Sequence, residues 1–331
     1  MKQIPLLTFA VLLACNGSKD EKQTSSSNEV NSAEIEYTQE DIDNMDIVEV
    51  LYTLPDEGTI IYASEAMAEP IDTFIHAERA AIVEFKEEMV VIRERYYNDD
   101  SEGYWVLAYA PKEKFGRANE IKLSLTEILP ADSEAANWIS VEKVTINEYQ
   151  AAKSNASSMI NKRDDVYENE DTLRFSLFNG EEMELVSQPD EEEEYAVFEY
   201  IGHNDSAYCF LVEGTFYEWQ ETTVYNTVDG SEIANIGFTQ PKFSPDNQYM
   251  IALESNDFET GTILQLYKYD GATFVPVFKS EWFEYWFTSY GNGGLYWESE
   301  NTVIAKIMHH TVYYDSYGVE EAWEYIRIRI D

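Results

Sequence analysis

The side chains able to do chemistry in this chain are few in type. Its four histidines are His76, His203, His309 and His310. A transition-metal site announces itself in sequence when imidazole, thiolate or carboxylate ligands recur at short spacing. Neither an HExxH nor a paired CxxC occurs. His309 and His310 are neighbours on an expected strand, where successive side chains take opposite faces, so they are not expected to share an ion. Asp41, Asp43 and Asp46 begin like a calcium loop, but that loop needs an oxygen ligand at its fifth position, glycine at its sixth and glutamate at its twelfth. Met45, Asp46 and Tyr52 stand there instead. The expectation is no metal site and no cofactor.

Nucleophiles are equally sparse. The two cysteines are Cys15 and Cys209. Cys209 lies in AYCFLV, the setting of a small buried hydrophobe. A catalytic thiol needs a base and an electropositive neighbourhood, and neither is evident there. There is no G-x-S-x-G elbow. Gly291-Asn292-Gly293-Gly294 lacks the lysine that follows in a phosphate-binding loop and reads as a turn. Carboxylates abound, but a glycosidase pair is defined by separation in space. No catalytic residue is assigned. Asp190 to Glu194 form an acidic run, read as a solvated loop with cation binding as the alternative.

The best binding candidate is the stretch EWFEYWFTSYGNGGLYW, in which Trp282, Trp286, Tyr290 and Trp297 form a candidate platform for stacking on sugar rings. Phe283, Tyr285 and Phe287 would occupy the other strand face. A strand apolar on both faces is usually buried between sheets, so a core role competes with the platform.

Charge narrows the partners. Lys plus Arg number 22 against 64 Asp plus Glu, a formal net charge of -42. Nucleic-acid affinity rests on cationic side chains, so no nucleic-acid partner is expected. The acidity suits a solvated surface in salty surroundings, with specific calcium binding as the sharper alternative.

The chain begins MKQIPLLTFAVLLACNGSKDEK. Lys2 precedes an apolar stretch from Ile4 to Leu13, well short of the roughly 20 residues of a spanning helix and suited to a cleavable signal. Leu12-Leu13-Ala14-Cys15 resembles the lipobox of bacterial lipoproteins. The resemblance implies cleavage after Ala14 and a diacylglycerol on Cys15. Each buried methylene contributes about 0.8 kcal/mol, so two or three acyl chains would fix the protein to a membrane that it does not span. The polar residues up to about Ala33 cannot offset ordering entropy and are expected to be a disordered tether, with a mean reach of roughly 25–30 Å. Ser18-Lys19-Asp20-Glu21 is similar to the surface-export signal on lipoproteins of one group of Gram-negative bacteria. Asn16 stands where an aspartate would resemble an inner-membrane retention signal. These features imply a cell-envelope protein in the outer membrane, with surface display open.

The elements that must position any site are mostly strands. DIVEVLYTL and TIIYA are short apolar runs broken by Pro55 and Gly58. AAIVEF, MVVIRERYY and GYWVLAYA follow. Ile82, Phe85, Met89, Ile92 and Tyr96 fit a helical face, but Val90-Val91-Ile92 and the strand-like GYWVLAYA favour sheet. Two short strands about a charged turn, then a strand carrying Gly103, Tyr104 and Trp105, resemble a bacterial Src-homology-3-like module. The glycine usual in that turn is missing. Thr145-Ile146-Asn147-Glu148 fits a capping box and predicts a connecting helix. From Leu173 onward strands are expected throughout, with Asn179-Gly180 as a type I′ turn and Asp229-Gly230 as another turn. Phe243-Ser244-Pro245-Asp246-Asn247 resembles the start of a blade in TolB-like and WD-repeat-like propellers. A weaker copy at Trp297 to Asn301 follows after roughly 53 residues, and Ser206-Ala207-Tyr208 suggests an earlier one.

The expected fold is thus mainly β: a small barrel-like N-terminal module and a C-terminal antiparallel propeller-like or meander domain, joined by a short helix. The boundaries drawn are 1–14 signal, 15–44 lipidated cysteine and tether, 45–140 β-rich module, 141–165 helical connector and 166–331 propeller-like domain. The expected function is a non-enzymatic cell-envelope lipoprotein that binds a protein or glycan partner. An extracytoplasmic glycan hydrolase, or a surface lipoprotein holding divalent cations, is the alternative.

Overall fold

The computed structural model describes residues 37–54, 57–97, 102–169, 171–189, 195–255, 261–289, 294–316 and 319–331. The signal, Cys15 and all but the last residues of the expected tether lie outside them. So do the acidic run 190–194 and Tyr290. The chain divides into two units, Met1–Thr38 and Gln39–Asp331, and every element below belongs to the second.

After a one-turn helix α1 (Gln39–Asp43) comes an antiparallel seven-stranded sheet: β1 (Glu49–Thr53), β2 (Thr59–Tyr62), β3 (Pro70–Phe74), β4 (Arg79–Phe85), β5 (Met89–Tyr97), β6 (Gly103–Pro111) and β7 (Phe115–Gly116). Its order is β3-β2-β6-β5-β4-β1-β7, and it curls into a half-barrel. The helical spacing of residues 82–96 therefore gives way to two paired strands, β4 and β5. Alternation explains why: Ala80 and Ile82, Val90 and Ile92, and Ala108 and Ala110 all face one buried cluster with Leu51, Ile61 and Phe74.

The connection to the rest is short. A four-residue helix α2 (Leu125–Ile128) is capped by Ser124, whose hydroxyl accepts from Glu127 N while Glu127 reaches back to Ser124 N. Strand β8 (Ile139–Val144) follows, across the expected boundary at 140. Helix α3 (Ile146–Asn155) then carries the expected capping box, Thr145 with Glu148.

Four antiparallel sheets come next. The first is β9 (Tyr167–Glu168), β10 (Thr172–Ser176) and β11 (Glu182–Val186). The second is β12 (Ala196–Asn204), β13 (Cys209–Phe216), β14 (Gln220–Asn226) and β15 (Glu232–Ile236). The third is β16 (Lys242–Phe243), β17 (Tyr249–Ser255), β18 (Thr262–Tyr269) and β19 (Phe274–Phe283). The fourth holds β20 (Trp286–Thr288), β21 (Leu295–Ser299), β22 (Thr302–His309) and, after helix α4 (His310–Ser316), β23 (Glu324–Ile330). Its outer strand is β8, which pairs with β23 from Tyr325 opposite Val144 to Ile330 opposite Ile139. A strand made before the four sheets thus completes the last of them.

The two motif positions both lie at antiparallel turns, but with different registers. Phe243 and Met250 are partners across the β16–β17 turn, and Trp297 and Val303 across the β21–β22 turn. Residues 250–253 and 304–307 take the second strand of their meanders, and Met250, Ile251, Ala252, Ile304, Ala305 and Ile307 are buried. The turns before β13 and β17 share a backbone conformation. Tyr208, leading into β13, and Asn247, leading into β17, are both left-handed, with φ of 52° and 58°. One turn differs from expectation. A type I′ turn needs positive φ at two residues; only Gly180 has it, at 90°. With Gly180 N donating to Leu177 O and Leu177 N to Glu181 O, the hairpin closes as a three-residue loop instead.

The cores are shared between successive sheets. One cluster joins the first and second sheets through Phe175 and Phe210. Another joins the second and third through Leu211 and Met250. A third joins the third and fourth through Leu264, Trp286 and Ile326, with Leu123 and Ile128 packed against it. Half-barrel and last sheet meet through Tyr52, Ala77, Tyr149, Met308 and Tyr325.

Candidate functional site

Three of the four histidines converge at the seam between half-barrel and last sheet. His76 sits in the tight turn between β3 and β4, where Ala77 takes a positive φ of 61°. His76 Nδ1 lies 2.9 Å from Glu127 Oε1. The other oxygen of Glu127 accepts the Ser124 amide at 2.6 Å, so the α2 cap fixes the carboxylate that meets His76. His309 ends β22 and His310 begins α4. The strand stops between them, and their rings stack at 4.8 Å instead of taking opposite faces. The His309 ring meets His76 edge-on at 5.5 Å.

The electrostatics follow from enclosure. Burial, with His310 alongside, pushes the His309 ring down to about 3. Burial also lowers His310. For Glu127 burial opposes ionisation, but the bonds from His76 and Ser124 outweigh it and hold the carboxyl at about 2. His309 and His310 are thus held neutral beside one firmly ionised carboxylate. His76, Glu127 and His309 each present a donor atom, all within 4.8 Å of one another. Nothing in their spacing of 51 and 182 residues signals this; the one hint was that histidine is scarce.

A second feature is a cleft of about 400 Å³ beside β12, β16 and β21, strands of three sheets. Its walls are the end of α3 and the segment after it, Asn155 to Ile160, with Ile201 of β12, Gln240 to Phe243 with Pro245, and Leu295 to Trp297 of β21. Buried Phe243 and half-buried Tyr296 and Trp297 line it with Ser157, Ser158, Gln240 and Lys242. Burial lowers the Lys242 ammonium. Among the described residues the lining has no carboxylate, histidine or cysteine.

The aromatic platform is dispersed. Trp286 is 1% exposed, stacked on Phe283, with Nε1 donating to Ile128 O at 3.0 Å, so it offers no face to a ligand. The run is not one strand: β19 ends at Phe283, and a turn at Glu284-Tyr285 separates it from β20. Trp282, 38% exposed, lies against Gly261. Trp297 stands apart on the cleft wall, its buried Nε1 without a hydrogen-bond partner among the described residues.

Two further groups are settled by burial. Cys209 is enclosed in β13 and its thiol is pushed up to about 12, which leaves it no nucleophilic role at neutral pH. His203 is buried against Tyr200, whose hydroxyl lies 2.5 Å from Nδ1, and burial lowers it to about 4. On the half-barrel, an open groove of about 450 Å³ collects Glu49, Glu87, Glu88, Glu113 and Glu120 with Lys112 and Arg117. Comparison with known protein families, curated proteins and solved structures finds no match to this chain.

Proposed function

We propose that this chain is a bacterial lipoprotein, held in the cell envelope by lipid on Cys15, whose C-terminal sheets bind a partner without chemical turnover. The cleft carries this reading. Half-buried Tyr296 and Trp297 line the cleft with hydroxyl, amide and amine groups, a composition suited to a hydroxyl-rich chain such as a glycan. A hydrolase needs a general acid and a base or nucleophile at the scissile bond, and the described lining supplies neither. The four successive meanders support a propeller-like presentation of that cleft. The anchor rests on Leu12-Leu13-Ala14-Cys15 behind a short apolar stretch. Outer-membrane residence goes with it, and surface display rests separately on the Ser18-Lys19-Asp20-Glu21 resemblance.

Two experiments decide. Envelope glycan fragments are titrated against the wild type and Trp297→Ala, with reducing ends assayed in the same tubes. Binding that weakens in the variant, with no new reducing ends, supports the reading. Release of reducing ends makes the protein a hydrolase, and selective capture of a protein instead of glycan replaces the ligand class. For the anchor, Cys15→Ser is expected to move the protein from the membrane to the soluble fraction; equal retention of the variant would end the lipoprotein assignment.

A further inference from the structure

We infer that His76, Glu127 and His309 form a zinc site that ties the half-barrel to the last sheet. The donors come from three separate elements: the β3–β4 turn, α2 and the end of β22. Two imidazole nitrogens and one carboxylate oxygen suit zinc, whereas calcium and magnesium take oxygen ligands. Three protein ligands leave one tetrahedral position for water.

The His309 ring carries the second observation. It is 4% exposed, and its Nε2 has no hydrogen-bond partner among the described residues. A buried, unsatisfied ring nitrogen destabilises the fold, and a metal bond removes that cost. The ring's one hydrogen bond is long, 3.3 Å from Thr311 N to Nδ1. Zinc on Nε2 moves the ring proton to Nδ1, and that contact gives way. Likewise His76 gives up the proton between its Nδ1 and Glu127 when Nδ1 takes the metal.

Distances fit with a modest adjustment. Ligand atoms around tetrahedral zinc stand about 3.3 Å apart, given bonds near 2.0–2.1 Å. The His76–Glu127 pair already lies at 2.9 Å, and the whole set falls within 4.8 Å. Capture therefore draws the widest pair together by up to about 1.5 Å, within reach of side-chain rotation. Glu127 is held from behind by its cap, the supporting bond that orients a metal-binding carboxylate. The surrounding negative charge raises the local concentration of divalent ions.

The full chain, purified in mild detergent without a histidine tag and stripped with EDTA, is titrated with zinc sulfate against a chromophoric chelator. One tight equivalent per chain is expected, with a thermal midpoint raised by several degrees in excess zinc. Cobalt substituted at the same stoichiometry should give the visible absorption of a tetrahedral ion. His76→Gln and Glu127→Gln should each weaken zinc at least tenfold, and His203→Gln should not; glutamine at 127 still serves the α2 cap. His309→Gln should abolish the tight equivalent, and if it fails to fold, His76→Gln decides, since His76 lies in a turn. Absence of a saturable equivalent, or affinity unchanged in both His76→Gln and Glu127→Gln, overturns the site and leaves only diffuse binding to acidic groups.

Discussion

Gly237 lies against the carboxyl group of Glu254: a Cβ at position 237 would sit 2.0 Å from Oε1 and 2.1 Å from Oε2. The contact is where the chain passes from β15 to β16. Glu254, 7% exposed on β17, accepts from Phe238 N through Oε1 at 3.0 Å and so pins that crossing. The carboxyl cannot withdraw without giving up this bond. Gly237→Ala should therefore destabilise by about 1–3 kcal/mol, the usual cost of overpacking. Glu254→Ala alone should also destabilise, but the double variant should lose less than the sum of the two, because the second change empties the space the first needs. Urea unfolding of all four forms measures the coupling; additivity within about 0.5 kcal/mol would remove the steric argument.

Glu254 and His203 should bend stability with pH in opposite senses. Burial raises the Glu254 carboxyl above its unfolded value of 4.5, with the Phe238 bond opposing. Its contribution is complete below pH 4.5 and is lost as pH rises through the folded value. Glu254→Gln should gain on the wild type between pH 4 and pH 8. Burial lowers His203 from 6.5 to about 4. The unfolded chain binds the proton first on acidification, so stability is lost as pH falls from 6.5 to about 4. His203→Gln should flatten that limb. Denaturation midpoints at pH 4, 5, 6.5 and 8 separate the two. A pH-independent offset for either variant would mean that the group does not titrate differently on folding.

Much of the fold could be read from local pattern. The strands of the half-barrel follow from alternation at Ala80, Ile82, Val90 and Ile92, and the α3 cap from Thr145 and Glu148. The β16–β17 turn was legible because Pro245, Asp246 and Asn247 form a turn whose chemistry is local. What escaped depends on distant pairing. No local signal tells that β8 completes a sheet begun at Trp286, or that β22 ends between His309 and His310. That strand end puts two rings on one side, and only tertiary contact brings His76 and Glu127 to them. The platform dispersed for a similar reason: one turn at Glu284-Tyr285 sends Trp286 inward and leaves Trp282 half exposed.

Asn247 holds both the conformation and the contact that begin β17. It is left-handed at φ 58°, and its Oδ1 accepts from Nδ2 of Asn204 at 2.6 Å, in the equivalent turn of the preceding sheet. Both side chains are buried. Asn247→Gly keeps the backbone but orphans the Asn204 amide, a loss of about 1–3 kcal/mol. Asn247→Val adds strain, because a β-branched residue resists positive φ. The order of thermal midpoints should be wild type, glycine, valine. Equal midpoints for glycine and valine would show that the left-handed turn relaxes.

Trp286 and Trp282 should part sharply on truncation. Trp286 fills the joint between the third and fourth sheets, against Phe283 and among Leu264, Ala305 and Ile326, and its indole N–H is spent on Ile128 O. Trp286→Ala removes that packing and leaves a cavity, at a cost of about 3–5 kcal/mol, and frees a carbonyl of α2 besides. Since α2 carries Glu127, the same change should loosen the seam: hydrogen exchange at residues 124–129 should quicken. Trp282 is 38% exposed at the end of β19 and makes no side-chain hydrogen bond among those described, so Trp282→Ala should cost less than about 1 kcal/mol. Urea midpoints of the two variants give the contrast directly. Comparable losses would show that the third and fourth sheets lean on the rim of the joint as much as on its centre.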